Sequence, residues 1–273
     1  MHGLNQSIAI GPLGLSIGQL LLVLAFSIAL LAGALIGRRP PTPTADTLFT
    51  LLFVALVGAR LVFVARYWGS YDGALAMLDI RDGGFDPLGG LVAGVGYALW
   101  RLWKAPQQRA ALSGALVAGA FTWGLTAGPL LLLESQSRPM PDTALATLEG
   151  QPIDLPTLAE HEAKPMVVNL WATWCPPCRR EMPVFEQAQQ EEPEITFVFV
   201  NQGEDVSLVN RFLDHESLAL ENVLLDARNA LGDATGAMAM PTTLYYDTEG
   251  RLVDTHFGEL SRATLDRGLE RLR

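Results

Sequence analysis

The sequence predicts two folds in one chain: an all-α polytopic membrane domain of about four transmembrane helices, followed by an α/β sandwich. Three observations lead there. Charge is divided: residues 1–139 carry 9 Lys and Arg against 6 Asp and Glu, a net of +3, whereas residues 140–273 carry 10 against 23, a net of −13. Four long apolar stretches all fall in the first part. The second part alternates β-rich runs with amphipathic helical ones, the pattern of strands packed against helices. With 49% hydrophobic and 18% charged residues, against about 25% charged in ordinary domains, the chain is neither disordered, nor a coiled coil, nor a basic nucleic-acid binder. The expected organisation is a transmembrane domain over residues 1–133, a linker over 134–141 and a soluble domain over 142–273.

The apolar stretches run over residues 15–36, 47–68, 87–103 and 110–133. A crossing needs about 20 apolar residues, so the third is short. The first lacks the basic flank that precedes the apolar core of a cleaved signal peptide. Arg38 and Arg39 follow it instead, which predicts a retained helix. Loop charge then sets the orientation. Arg38 and Arg39 lie after the first helix, and Arg101, Lys104 and Arg109 lie around the end of the third. Between the second and third helices, Arg81 faces Asp72, Asp79, Asp82 and Asp86. Basic loops stay cytoplasmic, so the N-terminus and the acidic soluble part are expected on the periplasmic face of a bacterial inner membrane. Arg60 and Arg66 fall inside the second stretch. Arg66, near the outer end, is expected to snorkel. Arg60 is deeper and needs a buried partner, for which the four loop aspartates are candidates.

The run Gly58-Ala59-Arg60-Leu61, then Gly83-Gly84 and Gly89-Gly90-Leu91, resembles the core of prolipoprotein diacylglyceryl transferase over residues 47–128. That family carries a His before its second glycine pair. Here Leu88 holds that place, and no His lies between His2 and His161, so the resemblance implies a degenerate domain whose transferase chemistry is lost. The same glycines also suit ordinary close packing of membrane helices, and the two readings stand side by side.

In the soluble part, residues 166–171 form an apolar run of strand length. Residues 177–192 read as a helix with Met182, Phe185 and Ala188 on one face. A second β-rich run covers 195–200, a helix 206–216, and a short strand 223–225. Residues 242–246 and 252–257 make a hairpin around Asp247-Thr248-Glu249-Gly250. A closing helix spans 261–272 with Ser261 as its N-cap.

The chemistry sits where the first strand meets its helix, at Trp174-Cys175-Pro176-Pro177-Cys178, which holds both cysteines of the chain. Residues three apart on a helical turn share a face, so two thiols at that spacing close a disulfide with little backbone movement. Cys175 falls at the helix N-terminus, where unpaired N–H groups and the dipole favour a thiolate. The prolines suit a first turn that needs no donors. Cys175 is therefore the expected nucleophile and Cys178, one turn in and more buried, the resolving thiol. A structural zinc site needs about four N or S ligands. The four His (His2, His161, His215, His256) are scattered, so no metal is expected.

The segment VVNLWATWCPPCRREMP at 167–183 resembles the TlpA/ResA/CcmG group of membrane-anchored, thioredoxin-like thiol–disulfide oxidoreductases, over residues 140–273. The resemblance implies a thioredoxin-like α/β sandwich. It places Met240-Pro241-Thr242-Thr243 at the family's cis-proline loop, whose preceding backbone can pair with a bound chain. Glu181 stands at the family's acidic position three after the second Cys, a proton carrier for the dithiol. The plainer reading of Glu181 is a solvated acid favoured by the helix dipole. Asn169 stands where thioredoxin has a buried Asp. Phe257-Gly258 matches the end of the last strand, and residues 144–155 the family's extra hairpin. The surface meeting a substrate is expected at Trp174, Pro176, Pro177, Met240 and Pro241, with Trp171 as packing.

The implied activity is a protein-disulfide reductase whose only redox group is the Cys175–Cys178 pair, with no added cofactor. Its expected partners are disulfide-bearing periplasmic proteins, such as apocytochromes c or copper-site proteins, and the lipid bilayer, but no nucleic acid. No Cys lies in residues 1–139, so electrons must come from a separate membrane donor, by family analogy of DsbD/CcdA type. Two alternatives stay open: an oxidase or isomerase using the same site, and a lipid-binding assembly protein whose dithiol senses redox state.

Overall fold

The computed structural model describes residues 7–10, 13–38, 42–71, 73–134, 138–237 and 239–273. His2, Arg39, Asp72 and linker residues 135–137 lie outside them. The chain divides into two compact units. One comprises residues 17–78 and 84–133; the other comprises 1–16, 79–83 and 134–273.

The first unit contains helices α1 (Ile17–Ile36), α2 (Thr44–Arg66), α3 (Pro87–Lys104) and α4 (Arg109–Glu134). Among the described residues three helical stretches are long and apolar enough to cross a membrane: α1, α2 and Pro106–Leu131. The third predicted crossing does fold as a helix, but it is not among those three. Gly89, Gly90, Gly94 and Gly96 dilute its hydropathy, and Arg101 and Lys104 occupy its last turn. Gly89, Gly90 and Gly94 instead bring α3 onto α2. A Cβ on Gly58 would lie 2.4 Å from that of Ala93, and one on Gly89 would lie 2.6 Å from that of Val62. Asp86 starts α3, accepting from the Gly89 N–H at 2.7 Å. Buried Arg60 donates to the carbonyls of Met77 (3.1 Å) and Gly84 (2.7 Å) and lies over the rings of Phe63 and Tyr71. Arg66 is exposed, its guanidinium over Tyr67.

In the second unit, Ser7–Ile10 pairs with Leu13–Ser16 as a hairpin that hydropathy alone did not suggest. The remaining described strands are β1 (Arg138–Pro139), β2 (Leu145–Thr147), β3 (Pro152–Ile153), β4 (Met166–Trp171), β5 (Thr196–Gln202), β6 (Val223–Asp226), β7 (Thr242–Tyr246) and β8 (Arg251–Phe257). They form one sheet in the order β1-β8-β7-β4-β5-β6-β2-β3. Strands β4, β5 and β6 run parallel, and β7 joins β4 antiparallel. Helices α5 (Leu155–Glu162), α6 (Pro176–Glu191), α7 (Val206–Glu216), α8 (Ala230–Thr235) and α9 (Arg262–Leu269) cover it.

Strand β4 is buried along its whole length, as a central strand covered on both faces must be. Its alternation divides two cores. Val167 and Trp171 point to one, with Met182, Phe185, Phe199, Tyr245 and Leu265. Met166, Val168 and Leu170 point to the other, with Leu155, Val198, Val200, Leu231 and Tyr246. The first core is continuous with both cysteines, so the packing that stabilises the sheet also seats the dithiol.

Candidate active site: a dithiol at a helix N-terminus

Beyond Trp171 the chain turns: the Cys175 N–H donates to the Ala172 carbonyl at 3.2 Å, and α6 begins with Pro176 and Pro177 in its first turn. Cys175 is the N-cap, its Sγ accepting from the Cys178 N–H at 3.3 Å. The two cysteines are joined as a disulfide with Cα atoms 5.3 Å apart. Cys175 is 3% exposed and Cys178 fully buried, so an incoming group reaches the first sulfur and not the second. Trp174, 67% exposed, and Pro176 flank it on the surface; Pro177 is half-buried. The Met240–Pro241 peptide is cis. Met240 packs on the core that holds both cysteines, and Pro241 is buried. Trp171 is fully buried beside Phe212. All eight predicted site residues thus gather at one end of the sheet, Glu181 beneath the rest.

Glu181 is fully buried, which discards its reading as a solvated acid. Its Oε1 accepts from Asn169 Nδ2 at 2.8 Å and its Oε2 from the Leu260 N–H at 2.9 Å. Burial pushes its carboxyl up to about 8, against the downward pull of those two hydrogen bonds; Glu259 adds to the rise and Arg180 opposes it. A carboxyl held there exchanges its proton near neutral pH. Asn169 Nδ2 also donates to Thr243 Oγ1 at 3.1 Å; Thr243 is the register partner of Asn169 across β4 and β7. Among the described residues no three of His, Cys, Asp and Glu gather as a metal site.

Three features escaped the sequence reading. The Leu260 N–H belongs to the backbone and leaves no side-chain signal. Thr243 was read only as part of the cis-proline loop, and its bond to Asn169 could have been found from the strand pairing that places the two side by side. The third is a carboxylate, Glu204, on the loop after β5. It accepts from the Thr173 N–H (2.7 Å), Thr173 Oγ1 (2.6 Å) and Asn201 Nδ2 (2.7 Å).

Comparison with known proteins agrees with this geometry. The Redoxin family model matches residues 135–269, and that of prolipoprotein diacylglyceryl transferase matches residues 6–129, more than the 47–128 read from its glycines. The thiol-disulfide oxidoreductase ResA of Halalkalibacterium halodurans is 34% identical over 46% of this chain and 70% of its own length. The thioredoxin-like protein YneN of Bacillus subtilis is 31% identical over 48% of this chain and 76% of its own. Among solved structures, MTB dsbF shares 27% identity, covering 49% of this chain and 99% of that one, with a TM-score of 0.44. A helical part that resembles the diacylglyceryl transferase, with helices long and apolar enough to cross a membrane, thus precedes a thioredoxin-like domain, and the chain belongs to the ResA-type family of thiol–disulfide oxidoreductases.

Proposed function

We propose that this thiol–disulfide oxidoreductase works as a periplasm-facing reductase, anchored by its membrane unit and recharged by a separate membrane donor of DsbD/CcdA type. The Cys175 thiolate attacks one sulfur of a partner's disulfide; the other leaves with the bond's electron pair as a thiolate. Cys178 then attacks Cys175 Sγ, expelling the second partner sulfur. The partner ends with two thiols, and this domain with the disulfide seen here. Trp174, Pro176, Pro177 and Met240 form the docking surface, with buried Pro241 holding the loop behind it, and no cofactor enters.

The observation that carries this reading is Glu181. A buried carboxyl that trades protons near neutrality can take the proton of Cys178 as it attacks and return it on recharging. The direction is supported by the charges nearby. Arg179 and Arg180, the exposed cations of α6, are each paired with a carboxylate, Glu216 and Glu259, so neither adds an uncompensated positive charge to what the helix N-terminus gives the thiolate. An oxidant of the DsbA kind owes its potential to a stabilised reduced form. The basic loops around Arg38 and around Arg101, Lys104 and Arg109 support the periplasmic placement. Substrates of the implied class are apocytochrome c and copper-site cysteines.

The test is the reduction potential of the detergent-solubilised full chain, equilibrated against thiol buffers. A value near or below about −270 mV supports a reductase, and one near −120 mV makes this an oxidase.

A further inference from the structure

We propose that Glu204 is a positioning residue for the dithiol, and that its charge limits how far the Cys175 thiolate is stabilised and so keeps the pair reducing. The proposal rests on the reductase reading above and concerns what sets its strength. Thr173, two residues before the nucleophile, gives both its N–H and its hydroxyl to the Glu204 carboxylate, at 2.7 and 2.6 Å. The third donor, Asn201 Nδ2 at 2.7 Å, stands on β5 in register with Trp171 of β4. Asn201 is fully buried, so the carboxylate is fixed from the sheet and in turn fixes the loop. Three donors converging on two oxygens suit an ionised acid. The loop carrying Glu204 is itself held: Gly203 adopts a left-handed φ of +73°, and its N–H donates to the Asp226 carbonyl at 2.9 Å.

Two consequences follow for Cys175. The turn that makes it an N-cap is pinned from one side by Glu204, so the sulfur keeps its place over the first turn when the disulfide opens. A negative charge tied to that turn also opposes the thiolate that the helix N-terminus favours. A less stable thiolate makes a stronger reductant, the converse of DsbA.

The experiment uses the full chain in detergent, whose two cysteines make the readout unambiguous. In Glu204→Gln the charge goes while the shape stays. The proposal expects about a tenfold shift toward the reduced form, a potential less negative by about 30 mV. It also expects the pH midpoint of Cys175 alkylation to fall by about one unit. Glu181 and the Arg179–Glu216 and Arg180–Glu259 pairs, the ionisable groups on the first turns of α6 with their partners, are untouched. Thr173→Ala, which keeps the charge and drops one hydrogen bond, should move the potential by less than a third as much. A Glu204→Gln chain with lowered melting temperature but unchanged potential and alkylation profile would overturn the proposal. So would equal shifts in both variants. Should the Gln variant not fold, Glu204→Asp carries the test: withdrawing the charge by one methylene should shift the potential in the same direction by a smaller amount, and no shift refutes it. The potential of the unaltered chain judges the reductase reading, and the difference between variants judges Glu204.

Discussion

Replacing Glu181 by Gln keeps the volume and removes the ionisation. In the native chain the carboxyl is held at about 8 by burial, against an ordinary 4.5. At pH 7 about nine in ten copies therefore carry the proton, and the group can both give and take one. General acid–base help of this kind contributes about 10²–10⁴ in rate. We expect Glu181→Gln to slow release of the partner from the mixed disulfide by about 10² or more, and to erase an inflection near pH 8. Stability supplies an independent reading. Between pH 4.5 and 8 the folded state keeps a proton that the unfolded chain has released. Stability is therefore full below the ordinary value and falls as pH rises through that window, by up to about 5 kcal/mol. The Gln variant should lack that slope. Stopped-flow exchange and thermal unfolding of the full chain between pH 5 and 9 read both effects. An unchanged pH profile for exchange, with the same slope in melting temperature, would refute the role given to Glu181.

Asn169→Ala removes one of the two hydrogen bonds that pull the Glu181 carboxyl down, so the inflection in the exchange rate should move above pH 8. Cys178→Ser should trap a partner as a stable mixed disulfide on non-reducing gels, whereas Cys175→Ser should trap none; equal trapping would reverse the two roles. In Gly268→Ala the new Cβ would lie 2.3 Å from the Tyr245 ring. Overpacking of this kind costs about 1–3 kcal/mol, more than the helix propensity gained, and a lower melting temperature should follow.

The central strands were legible because burial on both faces writes itself as continuous apolar runs; β4 matches its predicted ends residue for residue. The face of α6 was legible too, and it held more than was drawn from it. Met182, Phe185 and Ala188 define a buried stripe, and Cys178 and Glu181 fall on the same stripe at helical spacing. What periodicity could not supply were the partners of Glu181, which come from 12 and 79 residues away. Helix α8 was hidden for a different reason. It is six residues long, follows a left-handed Asn229, and is started by Asp226, which accepts from the Ala230 and Leu231 N–H groups. Helix α5 went unread because its Leu155 had been given to the end of a hairpin. The turn of that hairpin does form, with Gly150 at a φ of +79°.

That one sulfur is reachable and its neighbour is sealed has a kinetic corollary. With two cysteines in the chain, the molecule holds either two electrons or none, and both loading and unloading occur at Cys175. Donor and acceptor must therefore visit the same spot in turn and never together. Turnover should follow a ping-pong law, with parallel double-reciprocal lines. Each oxidised partner should compete with spent donor for the reduced enzyme, so turnover is limited by how quickly one visitor clears the way for the next.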